Sequence, residues 1–316
     1  MDADSCQSQV QSPLRTFIDV LIAILIAASY TPQFKQLRAR DRTSDNGISG
    51  WYITLLTISA TTHFAARIEN VYSQEAYDCT RYGDLRGLRA FSALVIYIQP
   101  LVQWVAAVSL LAVYLRDQTD HNGEYSPIYS LGGLPLLTVH DTDTDTQYSL
   151  PRDRHATRPL SKRTIIAAIT SHAAIVFPIA IHLLFSGRSD DSSNGYNLRQ
   201  GLHVVLAITG LFTSLIAALP QVYLLIHRTR AGLGVGSLSL LGLALQAFAF
   251  AALAGSQAVR LGWPARRGSG PDQPLTPLAW WWDINGTAVG YAALAVCQLL
   301  VLKVAIGASR AGGSGS

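Results

Sequence analysis

Two stretches, Ser29-Tyr-Thr-Pro-Gln-Phe-Lys-Gln-Leu-Arg38 and Ala217-Ala-Leu-Pro-Gln-Val-Tyr-Leu-Leu-Ile-His-Arg228, decide the fold because they place the same feature twice in one chain. In each, a Pro-Gln pair closes an apolar segment and precedes basic residues. A serine also follows each proline at the same distance along the chain, Ser49 after Pro32 and Ser237 after Pro220. Internal repetition of this kind indicates two copies of one structural unit.

The segments around these pairs are apolar enough to lie in a membrane. Half of the chain is hydrophobic (49%) and only 14% is charged, and the apolar residues form long blocks. A helix needs roughly 20 mostly apolar residues to cross a bilayer, because its backbone must satisfy its own hydrogen bonds there. We therefore predict spans at residues 17–36, 48–68, 91–115, 165–185, 202–227, 238–261 and 281–304.

The paired Pro-Gln stretches divide these seven spans into two repeats. Residues 17–115 form the first three-helix repeat, 165–185 a linker helix, and 202–304 the second repeat. An odd helix between the repeats gives both the same orientation, which is one of the recognised transporter plans. The predicted fold is an all-α membrane protein with a three-plus-one-plus-three arrangement. Residues 116–164, rich in polar residues, are predicted to be a disordered loop, and residues 305–316 a solvated tail.

Loop charges predict the orientation of the chain. Of the 24 Lys and Arg residues, 14 fall on the side that holds the first, third and fifth interhelical loops and the C-terminus, and the other 10 fall opposite. The positive-inside rule then places the C-terminus and residues 116–164 in the cytosol, and residues 1–16 in a lumen or outside. This distribution also explains the basic net charge of +4 without a nucleic-acid partner. A signal peptide is the alternative for residues 17–36, but the basic stretch after Pro32 favours a retained helix.

Three cysteines cannot form a disulfide framework. Cys297 falls in the last span, whereas Cys6 and Cys79 would share the lumenal side, which leaves a single bridge open. The sequence contains no metal-ligand spacing and predicts no cofactor. No nucleophile, base and orienting group fall together, so we do not expect an enzyme.

The two Pro-Gln stretches resemble the PQ-loop family, which includes lysosomal cystine and vacuolar cationic amino-acid exporters and, more distantly, the SWEET sugar carriers. The resemblance covers both repeats and is strongest to fungal members with a long loop after the third helix. It implies the three-plus-one-plus-three bundle, a lumenal N-terminus, an internal membrane such as that of a vacuole or lysosome, and alternating access, with proton coupling in the amino-acid exporters. The second copy departs from the pattern, with Val235-Gly-Ser237 where the first has Gly47-Ile-Ser49.

The prolines of both pairs are candidate hinges. A proline inside a helix removes a backbone donor and crowds the carbonyl four residues earlier, so Pro32 and Pro220 are expected to loosen their helices at matching places. The neighbouring Gln33 and Gln221 would bond the freed carbonyls or cross to another helix. The alternative is that each proline only shapes the end of its helix.

Ionisable groups at membrane depth usually face a cavity or a partner, so they are the candidates for proton coupling. Asp283, among Trp280-Trp-Trp and before Asn285, is our first candidate for a group that binds a proton or a substrate ammonium. His63 is the second because histidine changes charge near the pH of an acidic lumen; its alternative is a hydrogen bond between helices. Asp19 is the third, with a role as a boundary residue as its alternative. The other groups considered are Arg67, His172, His182 and His203.

Uncharged polar side chains of the third and seventh spans are the candidates for substrate binding. Gln99, Gln103, Asn285 and Gln298 could each hydrogen-bond a polar solute, and hydrogen bonds between helices are the alternative for each. The sequence thus predicts a secondary transporter that exports a small polar solute, such as an amino acid, to the cytosol with a proton. The alternative is a non-transporting seven-helix receptor or scaffold, and either protein could form homo-oligomers.

Overall fold

The computed structural model describes residues 12–38, 47–73, 87–124, 161–186, 193–231, 235–236, 238–262 and 277–313. Within these ranges every long element is a helix, and each predicted segment coincides with one of them. The described residues form seven helices: α1 (Pro13–Arg38), α2 (Gly50–Ser73), α3 (Leu88–Glu124), α4 (Lys162–Ser186), α5 (Ser193–Arg230), α6 (Leu240–Gly262) and α7 (Pro277–Gly313).

Six of these helices are long and apolar enough to cross a membrane. They confirm the prediction of an all-α, multi-pass membrane protein. The candidate spans are Pro13–Arg38, Tyr97–Arg116, Lys162–His182, Val204–Arg230, Leu240–Val259 and Ala288–Arg310.

The distribution of side chains across the bundle fits a lipid environment. Large apolar side chains such as Ile24, Phe212 and Leu241 are exposed on its outside, whereas Gln99 and Gln221 are fully buried inside it. A protein in water gains by burying apolar surface, but lipid tails are as apolar as leucine and supply no such drive. Packing and hydrogen bonds between helices must therefore hold this bundle together.

The helix α2 is absent from the six candidate spans, and its sequence contains His63 and Arg67 as well as several threonines and serines. Three of its hydroxyls, those of Thr54, Thr57 and Thr61, donate to the carbonyl four residues earlier at 2.7, 2.9 and 2.8 Å. This pairing satisfies the hydroxyl donors within the helix. Because α2 packs against α3, α4 and α5, its buried polar face meets protein instead of lipid.

The helices pack in a pattern that repeats. In the first half α3 packs against both α1 and α2, and in the second half α7 packs against both α5 and α6. The halves meet at two interfaces, one between α1 and α6 and the other between α2 and α5. The remaining helix, α4, packs against α2 and, less extensively, against α5.

Several helices extend beyond their predicted ends. The stretch 116–124, predicted as the start of the disordered loop, continues α3, and the prediction of coil after Lys303 is wrong up to Gly313, where α7 ends. The helix α5 begins at Ser193, well before the predicted span at Leu202. Hydropathy marks where a helix leaves lipid, but a helix that is already formed gains one hydrogen bond for each residue added.

Other predictions fall outside the described residues. These are the bridge between Cys6 and Cys79, the N-terminal residues 1–11 and the central part of the long loop, residues 125–160. Cys297 is a buried free thiol in α7.

Candidate functional site: a polar network inside the helix bundle

The interior polar residues lie along the length of the bundle, so its two ends need names. We call the end at which α1 begins the upper end and the end at which α1 finishes the lower end. The residues at the start of α2 contact the later parts of α5 and α7, whereas His63, further along α2, contacts earlier parts of both. The helix α2 therefore runs antiparallel to α5 and α7, and it starts at the lower end.

Near the upper end, two opposite charges are joined by a chain of amides. Arg67 donates to the amide oxygen of Gln257 at 2.9 Å, and Gln257 donates to Gln99 at 3.4 Å. Gln99 in turn donates to the carboxylate and to the backbone carbonyl of Asp19, both at 3.1 Å. The hydroxyl of Ser256 donates to the same carboxylate at 3.0 Å. Four helices, α1, α2, α3 and α6, thus share one continuous chain of hydrogen bonds, from Arg67 to Asp19, which we call the upper chain.

Burial makes this chain energetically important. Asp19 is 0% and Arg67 is 6% exposed, although a buried charge is costly unless it is paired and hydrogen-bonded. A glutamine amide can accept with its oxygen and donate with its nitrogen, so two glutamines in series can link a cation to an anion. The chain fixes the relative positions of its four helices as well as the two charges.

In the middle of the bundle, three polar side chains meet between α2 and α5. The hydroxyls of Ser59 and Ser214 are 2.7 Å apart, and the Nε2 atom of His63 lies 3.3 Å from the Ser214 hydroxyl. Ser214 also donates to the carbonyl of Gly210 at 2.6 Å. His63 therefore contacts another helix through a hydrogen bond, which was the alternative interpretation of this residue. Its role in proton coupling stays a prediction.

The imidazole of His63 occupies a narrow slot between α5 and α7. A Cβ atom added to Gly210 would lie 3.1 Å from the ring, and one added to Gly290 would collide with it. The ring also stacks on Tyr291, with the two centroids 5.1 Å apart. Only a residue without a side chain allows the backbone to approach so closely. The absence of a side chain at both glycines thus makes room for the imidazole of His63 in the core.

Gln221, of the second Pro-Gln pair, holds the segment that leads into α2. Its amide nitrogen donates to the carbonyl of Gly47 at 2.8 Å, and its amide oxygen accepts from the backbone nitrogen of Ser49 at 2.8 Å. Gly236, with a positive φ of 71°, approaches so closely that an added Cβ would lie 2.7 Å from the Cα of Gly47. We call these contacts among Gln221, Gly47, Ser49 and Gly236 the lower clasp.

Gln33, of the first Pro-Gln pair, also crosses to the other half. The amide groups of Gln33 and Gln246 face each other, with nitrogen–oxygen distances of 3.4 and 3.5 Å. Nearby, the hydroxyl of Tyr52 donates to the amide oxygen of Gln298 at 2.9 Å. Both glutamines of the Pro-Gln pairs therefore contact the half of the bundle to which they do not belong.

Three interior residues carry polar atoms without a hydrogen-bond partner among the described residues. They are the hydroxyls of Tyr30 and Tyr291 and both amide atoms of Gln103. All three side chains are at most 1% exposed. A buried polar group without a partner costs about 1–3 kcal/mol, so it calls for an explanation.

The structure brings many of the sequence-based candidates together. Asp19 and Gln99 belong to the upper chain, His63 lies in the middle, and Gln103 and Gln298 are buried. The chain is helical at Asp283 and Asn285, but their side chains lie outside the described residues, as does that of His203. His172 lies 2.9 Å from the hydroxyl of Thr62 and joins α4 to α2, and His182 is exposed. Pro32 and Pro220 are inside continuous helices.

Sequence reasoning missed part of the network. Gln246 and Gln257 are both fully buried on α6, and Ser214 and Tyr291 were not singled out either. A signal for the two glutamines existed, because their spacing along α6 corresponds to about three helical turns and puts both on one face. For Ser214 and Tyr291 we find no signal in the sequence.

No protein-family model, curated protein or solved structure matches this chain.

Proposed function

We propose that the protein is a secondary transporter of a small polar solute, built from two related three-helix units. The observation that carries the proposal is the run of buried polar side chains from one end of the bundle to the other. It starts at the upper chain of Asp19 and Arg67, continues through His63 and Ser214, and ends at the lower clasp. Polar groups inside a membrane protein are expensive and commonly mark a pathway for a solute or proton.

The packing pattern supports the proposed duplication. If α1, α2 and α3 are exchanged with α5, α6 and α7, the contacts within the first half become those within the second. The same exchange turns the interface between α1 and α6 into the one between α5 and α2. The shift along the sequence that takes Pro32 to Pro220 also takes α1 to α5, α2 to α6 and α3 to α7. In this proposal α4 is the linker, and α2 is a seventh span that is shielded from lipid by its neighbours.

The unpartnered interior atoms support a site for a polar solute. The hydroxyls of Tyr30 and Tyr291 and the amide of Gln103 offer donors and acceptors that the closed bundle leaves unused. A solute with several polar groups would satisfy them when the bundle opens, as polar groups at a binding site fix the orientation of a ligand. Gln298 and Gln99, which already have partners, are further candidates, as is Asn285.

The lower clasp is the proposed cytosolic gate. Gln221 holds the segment before α2 through two hydrogen bonds of 2.8 Å, so an opening there must break both. Pro220 precedes this glutamine in α5 and would provide the bend, with Pro32 and Gln33 at the matching place in α1. Transport at wild-type rates in both Pro32→Ala and Pro220→Ala would refute the hinge.

Proton coupling is assigned to three residues. Asp283 remains the first candidate, with His63 and Asp19 as the others; both of these are buried within hydrogen-bonded contacts that join helices. In this proposal the solute, such as an amino acid, leaves an acidic lumen of a vacuole or lysosome-like compartment together with a proton. The N-terminus then lies in the lumen and the C-terminus in the cytosol, as in the PQ-loop family.

Uptake into proteoliposomes tests the proposal. A panel of labelled amino acids and sugars is offered with and without a pH gradient, to the wild type, Asp283→Asn and the control His182→Gln, which changes an exposed histidine on α4. We expect flux of at least one solute that requires the gradient, is lost in Asp283→Asn and is kept in His182→Gln. Absence of flux for every solute, together with specific binding of a partner protein, would favour the receptor alternative.

A further inference from the structure

An open groove of about 500 Å³ runs along the outside of the bundle between α1 and α6. Its walls are apolar and include Ile18, Ile22 and Leu25 of α1 and Phe248, Ala252 and Val259 of α6. The two helices contact one another here, and small residues on α6 leave the space between them unfilled. The groove faces the surroundings of the protein, since Phe248 and Val259 are each 64% exposed.

The length of the groove matches one leaflet of a bilayer. The wall on α1 extends from Arg15 to Leu25, and a helix rises about 1.5 Å per residue, which gives about 15 Å. The hydrocarbon core of a bilayer is about 30 Å thick, so each leaflet contributes about half of that. The groove therefore has the depth of one acyl chain that enters from the upper end.

A cationic side chain stands at the mouth of this groove. Arg15 belongs to the lining, and it lies in the first turn of α1, at the upper end. Its Nη2 atom is buried and has no hydrogen-bond partner among the described residues. The planar guanidinium group matches the geometry of a phosphate and can bind two of its oxygens at once. This nitrogen therefore has an unused donor that an anion could accept from.

We propose that the groove binds an anionic phospholipid from the leaflet at the upper end. The phosphate of the lipid accepts hydrogen bonds from Arg15, and one acyl chain lies between α1 and α6 down to Leu25 and Phe248. Charge and shape both favour this ligand, because an anion alone would leave the apolar walls unused and a lipid without a phosphate would leave the guanidinium without an opposite charge.

The bound lipid would also influence the interior. Ser256, another lining residue, donates to the carboxylate of Asp19, which lies at the end of the upper chain. A chain seated between α1 and α6 therefore sits directly beside the contact that ties these two helices together. Occupancy of the groove should stabilise the closed arrangement of this interface.

A lipid titration with a thermal readout tests the proposal. The full-length protein in detergent is titrated with phosphatidylglycerol or with diacylglycerol of identical acyl chains, which lacks the phosphate, and the melting midpoint is followed. Phosphatidylglycerol should reach half-saturation at about tenfold lower concentration, the size expected for one hydrogen-bonded charge pair. In Arg15→Gln this preference should vanish, whereas Arg163→Gln, which removes an exposed arginine of α4, should keep it.

A second variant tests the groove independently of Arg15. Ala252→Leu fills the groove and should weaken the effect of both lipids, and Ala251→Leu, at an exposed position outside the groove, should not. The proposal is overturned if the two lipids act equally on the wild type, if Arg15→Gln retains the preference, or if Ala252→Leu binds like Ala251→Leu. An equal shift by inorganic phosphate alone would also overturn it, since the arginine would then take a free anion.

Discussion

The interface between α2 and α5 and the interface between α1 and α6 are built differently. Between α2 and α5, His63, Ser59 and Ser214 meet in a tight cluster, and the lower clasp closes the end of the interface. Between α1 and α6, the amides of Gln33 and Gln246 are 3.4 Å or more apart, and in the upper half an open apolar groove lies beside the hydrogen bond from Ser256 to Asp19. One interface is sealed by polar contacts, whereas the other leaves a side open to lipid.

The fourth helix offers a physical reason for this difference. Because α4 packs against α2 and α5, it covers the sealed interface on its outer side and lets polar side chains there avoid lipid. The interface between α1 and α6 meets lipid directly at its groove, so apolar walls are the less costly choice there. The two interfaces therefore differ in polarity because only one of them is covered by another helix.

The largest loss of stability is expected from Gly290→Val, which displaces His63 from the interface between α2 and α5. An added Cβ collides with the imidazole of His63, which Gly210 and Tyr291 already confine. Overpacking a core costs about 1–3 kcal/mol, so the melting midpoint in detergent should fall clearly.

Gly307→Val on the same helix is the matched control for that substitution, because no atom of the described residues lies within 4 Å of its added Cβ. Its midpoint should stay at or above that of the wild type, since valine is favoured over glycine in a helix. Equal midpoints for the two variants would contradict the tight slot for His63.

A loss of stability of similar size is expected from Gln257→Leu, which acts near the interface of α1 and α6. The substitution removes the acceptor of Arg67 at 2.9 Å, which costs about 1–3 kcal/mol, and breaks a longer and weaker contact with Gln99 at 3.4 Å. Gln246→Leu, on the same face of α6, breaks only the long contact with Gln33 and should cost less. Chemical denaturation that ranks Gln246→Leu as the more harmful change would show that the upper chain adds little.

The smallest effect is expected from Ser214→Ala, which removes one hydroxyl from the sealed interface. Ser59 and His63 both lose a partner, for a cost of about 1 kcal/mol. The neighbouring Thr213 bonds only to carbonyls of its own helix, so Thr213→Val should change the unfolding free energy less. If Ser214→Ala and Thr213→Val have the same free energy of unfolding, the cluster between α2 and α5 does not stabilise the protein.

The sequence predicts the helices well because apolar runs and proline positions are local features. It also identifies Asp19 and His63 as interior candidates, since a charge inside an apolar run has few alternatives. The partners of these groups could not be predicted. Arg67 and Gln257 are far apart in the sequence, and their contact depends on how α2 and α6 are rotated in the bundle.

The α2 helix shows where hydropathy alone is insufficient. His63, Arg67 and the threonines keep its apolarity below that of the other six helices, yet it packs among three neighbours and its described side chains are mostly buried. Similarly, the sequence does not distinguish Gly210 and Gly290 from other glycines in helices. Only the packing of the helices shows that both make room for the imidazole of His63. The role of these residues depends on contacts between helices and not on their own hydropathy or helix propensity.

Access to Gln103 from the two faces of the membrane tests whether a path runs through the bundle. Gln103 is 1% exposed, and its amide has no partner among the described residues. In a variant without the three native cysteines, Gln103→Cys is treated with a membrane-impermeant thiol reagent from each side, with Ser309→Cys at an exposed position as the control. A transporter with alternating access predicts that the thiol reacts from both sides and is protected by its solute. A thiol that reacts from neither side or from one side only, while the control reacts, would contradict a path through the bundle.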